Sequence, residues 1–160
     1  MYYKKIELKA RHYITSKNLS CPVDLNNIAK ERNIIMVDRE LQNGQAMYIP
    51  DPEQKIIIID KQNQSPEQLR FNVAHELAHD ILEHKKSILT NPSAKVPGDK
   101  SPQDRQADVF ASELLIPTPI LKREFIKQKG NILKLASDFQ VTIEAIKAKA
   151  KIKNLFDLIY

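Results

Sequence analysis

Apolar residues recur every three or four positions at the start of the chain, where Ile6, Ala10, Tyr13 and Ile14 predict a helix over residues 4–18. Cys21-Pro22 breaks that pattern. Asp24 then stands as the N-cap of a short helix carrying Leu25, Ile28 and Ala29 toward Arg32. Three short apolar runs follow, at 34–37, 45–49 and 55–59, punctuated by Gly44 and by Pro50-Asp51-Pro52. Ile56-Ile57-Ile58-Ile59 lacks polar alternation, which predicts a central strand buried on both faces.

Ser65-Pro66-Glu67-Gln68 is a helix start, with serine as cap and proline at the first helical position. The helix it opens is expected to reach about His84, where Lys85 and Lys86 complement its negative end. Residues 85–100, with Pro92, Pro97 and Gly98, read as an irregular loop, either a substrate lid or a plain connection. Ser101-Pro102-Gln103-Asp104 repeats the start signal for a helix ending at Ile116-Pro117. Helices over 118–129, closed by Gly130, then 132–138 and 142–149 complete the chain. The fold class expected is α+β, a small sheet of about three strands packed on a central helix and followed by a helical C-terminal part. The division falls between residues 1–117 and 118–160.

Composition narrows this reading. At 160 residues, 42% hydrophobic and with three glycines, the chain is neither disordered nor fibrous. Its longest aliphatic run, Ile56 to Ile59, is too short to span a bilayer, and the first residues lack the apolar stretch of a signal peptide. A single cysteine, Cys21, suits a reducing compartment and reads as a small semi-buried hydrophobe. A cytoplasmic protein with no membrane partner is expected. The net charge of +5 arises entirely in residues 118–160, which hold nine basic and four acidic side chains. A nucleic-acid or acidic partner and a solvated lysine-rich surface are both compatible with it.

The chemistry lies in His75-Glu76-Leu77-Ala78-His79. Histidines at i and i+4 lie one helical turn apart and can clamp one Zn2+, while Glu76 beside them is placed as a general base for peptide hydrolysis. Apolar neighbours on most sides of this helix predict its burial, and buried imidazoles need partners that a metal supplies. Zinc needs a third protein ligand. On the next helix Asp104 and Asp108 share a face with the inward apolar residues, whereas Glu113 falls toward solvent. Asp104 is also where a helix start favours an acid for its own sake. His84, extrapolated along a straight helix, points roughly 180° from His75 and is not expected as a ligand.

These blocks resemble the ImmA/IrrE family of gluzincin-like zinc metallopeptidases. The resemblance rests on Arg70-Phe71-Asn72-Val73-Ala74-His75-Glu76-Leu77-Ala78-His79 and on Asp104 through Asp108 followed by Phe110-Ala111-Ser112-Glu113-Leu114-Leu115-Ile116-Pro117. Pro22-Val23-Asp24-Leu25 and the strands around Met47 and Ile58 add to it. It covers roughly residues 10–150 and implies a zinc endopeptidase, with one Zn2+ per chain, that cleaves a helix-turn-helix repressor and so relieves repression. By position the family's third ligand falls on Asp104, where a glutamate is usual. Asp108 is then a partner orienting a histidine ring, or an alternative ligand.

Two further expectations remain. Tyr48, if its strand borders the cleft, is a candidate oxyanion stabiliser, the alternative being a half-buried sheet tyrosine. Residues 131–150 resemble a helix-turn-helix, with Leu135, Ala136, Phe139, Val141 and Ile146 at core positions. Their second helix offers Lys147, Lys149 and Lys151, suited to phosphate contact or plain solvation, and no arginine, asparagine or glutamine to read bases. The rival functions are therefore a DNA-binding regulator with a structural or vestigial zinc site, and a non-catalytic module that docks a repressor.

Overall fold

The computed structural model describes residues 2–42, 45–62, 64–84 and 100–159. Helices α1 (Tyr2–Ser16) and α2 (Leu25–Glu31) precede strands β1 (Ile34–Asp38), β2 (Ala46–Ile49) and β3 (Lys55–Ile59). Helices α3 (Pro66–Ile81), α4 (Pro102–Leu115), α5 (Thr118–Lys127), α6 (Ile132–Phe139) and α7 (Ile143–Ile152) follow, then a short 3-10 turn at Phe156–Leu158. The architecture is α+β, as the residue pattern predicts. Five helices start for the same local reason: the side chains of Asp24, Ser65, Ser101, Asn131 and Thr142 each accept from the backbone N–H three residues on. Each such cap stabilises by about 1 kcal/mol.

The sheet order is β1-β3-β2, with β1 parallel and β2 antiparallel to the central β3. Ile57 and Ile59 are buried. Ile56 and Ile58 are only half-buried, and they pair laterally with Ile35, Val37 and Met47, which are 50%, 37% and 39% exposed. The strand is central, but the expectation of burial on both faces is corrected: one sheet face packs on helices and the other lies largely open among the described residues. Missing polar alternation reports apolar character on both sides, not what covers them.

Helix α3 lies under the sheet and against α4. Val73, Ala74, Glu76, Leu77, Ala78, His79 and Asp80 are all buried, so the helix is enclosed on nearly every side. It stops at Ile81, before the expected reach to His84, and Glu83 turns into the left-handed region at φ 55°. That turn lets the His84 N–H donate back to the His79 carbonyl at 2.9 Å. Farther on, Gly130 sits at φ +70°, a left-handed conformation that favours glycine, and a Cβ there would also push aside the Ile159 Cδ1 methyl. Buried residues from Ile6 to Leu155 form one apolar cluster with Cys21 packed at its margin. Among the described residues no helix is long and apolar enough to cross a membrane. Lys85, Lys86 and the expected lid of residues 85–100 fall, apart from Lys100, outside the described residues.

Candidate metal centre

Helices α3 and α4 bring three of the expected ligands together. His79 Nε2 lies 3.1 Å from His75 Nε2 and 3.4 Å from Asp104 Oδ1, and His75 Nε2 lies 4.0 Å from the same oxygen. One donor atom from each of the three falls within 4.8 Å of the others, a spacing that can hold a metal ion. Two imidazoles and one carboxylate are the donor set of a hydrolytic zinc site. The cluster opens to solvent unevenly: the His79 side chain is 4% exposed, His75 17% and Asp104 28%.

Asp104 serves two purposes at once. Its Oδ2 accepts from the Ser101 N–H and hydroxyl, completing a capping box, while Oδ1 faces the histidines. The cap thus fixes the rotamer that aims the other oxygen. Asp108, one turn along, lies 2.9 Å from His75 Nδ1 and accepts from Lys100 Nζ at 2.6 Å. Burial pushes its carboxyl up, but the His75 and Lys100 hydrogen bonds and charges outweigh this and hold it below the usual range.

Glu76 faces the sheet rather than α4. Its Oε2 accepts from the Tyr48 backbone N–H at 2.7 Å, so β2 orients the carboxylate beside the histidines. The Tyr48 hydroxyl donates to Asp80 Oδ1 at 2.6 Å, one helical turn beyond Glu76. Tyr48 is 3% exposed, and burial together with Asp80 raises its pKa far above the ordinary phenol range. Its one O–H is directed at Asp80, so in this structure Tyr48 pins β2 to α3, and a role as oxyanion donor would require that bond to break. Asp80 also binds Arg32 and Lys55. Burial raises its carboxyl, and the hydrogen bonds from Tyr48, Lys55 and Arg32 more than reverse this.

Two placements differ from helical extrapolation. Glu113 is fully buried instead of facing solvent, because α1 and α7 cover the side of α4 away from α3. It pairs with Arg11 at 2.6 Å and Lys149 at 2.7 Å and accepts from the Thr118 N–H and hydroxyl. Lys149, expected at a phosphate or in solvent, is instead 6% exposed and also donates to the Ser112 carbonyl. Lys147 and Lys151 remain exposed. The α6–α7 unit has the helix-turn-helix form, with Gln140 left-handed and Val141 buried in the turn. The start of α7 faces a cleft of about 740 Å³ lined by Pro66, Glu67, Arg70, Ser137, Thr142 and Glu144.

His84 was not expected as a ligand, yet its Nδ1 lies 3.0 Å from His79 Nδ1 and its Nε2 3.1 Å from Gln106 Oε1. Burial lowers its pKa, the largest influence on it. The signal that carries this placement is the early helix stop, which spacing alone does not reveal. Arg70, at the start of α3, donates to the Val23 carbonyl rather than pairing with an acid.

With this geometry in hand the comparisons with known proteins carry weight. The family model described as the IrrE N-terminal-like domain, Peptidase M78, matches residues 29–151, and the chain belongs to that family. The resemblance read from the two motif blocks is thereby borne out. Among solved structures, a Mycobacterium tuberculosis transcriptional regulator shares the fold, with a TM-score of 0.62 and 18% identity. The match covers 89% of this chain and 45% of that one, so this chain spans less than half the regulator's length. No curated protein matches the chain.

Proposed function

We propose that the protein is a zinc-dependent endopeptidase whose substrate is a regulatory protein, a repressor of the helix-turn-helix type. The observation that carries the reading is the convergence of His75 Nε2, His79 Nε2 and Asp104 Oδ1 at 3.1–4.0 Å beside Glu76 on a buried helix. His75, His79 and Asp104 hold the ion. Bound there, zinc supplies a Lewis acid that polarises a scissile carbonyl and acidifies water. Glu76 takes the proton from the attacking water and passes it to the departing amine nitrogen, its carboxylate aimed by the Tyr48 N–H. Asp108 accepts from His75 Nδ1, which leaves Nε2 free to face the ion. What supports a repressor as substrate is the family likeness, not the shape of the cleft. Burial of Lys149 on Glu113 removes one of three lysines that a DNA-binding reading needs.

The test is metal removal. A candidate repressor incubated with the protein should be cut, the cutting should stop with a chelator, and equimolar zinc should restore it. Cleavage that persists after complete chelation contradicts the reading. A repressor bound but never cut, with zinc present, supports the docking module instead.

A further inference from the structure

A zinc-bound histidine offers the ion one ring nitrogen, and the other nitrogen must then carry the proton and find an acceptor. His75 finds one in Asp108. At His79 Nδ1, 3.0 Å away, stands His84 Nδ1. Two ring nitrogens at that distance form a hydrogen bond only if one holds a proton and the other a lone pair. If His79 Nδ1–H donates, His84 accepts at Nδ1, and its own proton sits on Nε2, facing Gln106 Oε1 at 3.1 Å. Every donor and acceptor in the row is then matched. Reversing the row requires the Gln106 amide to turn its NH2 toward His84 Nε2 in place of the Oε1 that faces it here.

We propose that His84 is a positioning residue, which through Gln106 fixes the tautomer and ring orientation of His79 and so tunes the metal site. This rests on the metal-centre reading above. Three features make the arm possible. Helix α3 ends at Ile81, Glu83 adopts φ 55°, and the His84 N–H bonds the His79 carbonyl, which folds the ring back over the turn it has just left. The rings of His79 and His84 meet edge-to-face with centroids 5.0 Å apart, as those of His75 and His79 do at 4.9 Å. Gln106 belongs to α4, between Asp104 and Asp108. One helix therefore carries the proposed carboxylate ligand and anchors both histidine rings, His75 through a charged acceptor and His79 through a neutral one.

The test compares His84→Leu, which keeps bulk but removes the acceptor, with His84→Asn, whose Oδ1 stands near the position of the lost Nδ1. Zinc affinity is measured by competition with a chromophoric chelator, and folding is checked by circular dichroism. His84→Leu should bind zinc about 10–100-fold more weakly than the parent, the usual effect of losing such a partner. His84→Asn should recover most of that loss. In a long-range ¹H–¹⁵N spectrum of the zinc-loaded parent, His79 should show its proton on Nδ1. Equal zinc affinity of parent and His84→Leu, or no recovery by His84→Asn in a folded protein, overturns the proposal while leaving the metal site standing. A parent that binds no zinc overturns both, and that outcome is distinct from the other two.

Discussion

Tyr48→Phe separates a structural pin from a catalytic donor. The substitution deletes one hydroxyl that donates to Asp80 at 2.6 Å inside the layer between β2 and α3, and leaves the Tyr48 N–H on Glu76 untouched. A hydrogen bond to a charged acceptor is worth about 1.5–3 kcal/mol. Asp80 keeps Arg32 and Lys55, so the low end applies, about 1.5–2 kcal/mol. In a chain of this length each kcal/mol moves Tm by about 2–4 °C, which predicts a fall of about 3–8 °C. Zinc affinity and kcat should stay close to the parent's, since the hydroxyl is spent on Asp80. Removing an oxyanion donor would instead cost about 10²–10³-fold in kcat. The assay is a melting scan beside a cleavage time course under saturating substrate. An unchanged Tm with a hundredfold lower kcat refutes the argument and restores Tyr48 to the catalytic role that its strand position first suggested.

Three other outcomes follow from the same structure. Lys149→Ala removes one of two cations from buried Glu113, which keeps Arg11 and Thr118, so the cost in urea unfolding should lie at the low end, about 3 kcal/mol. Lys147→Ala and Lys151→Ala, both exposed, should stay within about 0.5 kcal/mol. Burial raises the Glu113 carboxyl, but Lys149, Arg11 and Thr118 hold it below the usual range. Its contribution to stability is therefore fully present above the unfolded value of about 4.3 and is lost as pH falls through the lower folded value. Glu113→Gln should flatten that acid limb by up to one proton, and an unchanged slope refutes the pairing. Asp104→Ala should weaken zinc binding more than Asp108→Ala, and the reverse ranking moves the ligand one turn along α4.

The parts legible in the sequence were those with local causes. Ser65-Pro66 and Ser101-Pro102 start their helices where the signal stands, and the dual demand on Asp104 was visible as two competing reasons for one acid. The two are compatible, because one oxygen of the carboxylate closes the cap while the other faces the histidines. What sequence spacing misplaced was non-local. Glu113 and Lys149 meet across 36 positions of chain, and a helical wheel assigns Glu113 to solvent only if α4 has one covered side. His84 is no member of the ligand cluster, as expected, but three residues of helix that do not form bring its ring against His79, which a straight helix does not foretell. Tyr48 lies on the expected strand, but its hydroxyl bonds the buried Asp80, a partner 32 positions away that strand spacing does not announce.

Glu76→Gln tests the central claim most directly. The amide preserves size and can still accept from the Tyr48 N–H, so fold and metal site should persist while the proton acceptor is lost. Zinc content by elemental analysis and repressor cleavage are measured on the same samples of parent and variant. The account predicts about one zinc per chain in both, with cleavage by the parent and none by the variant. Equal cleavage by the two contradicts it.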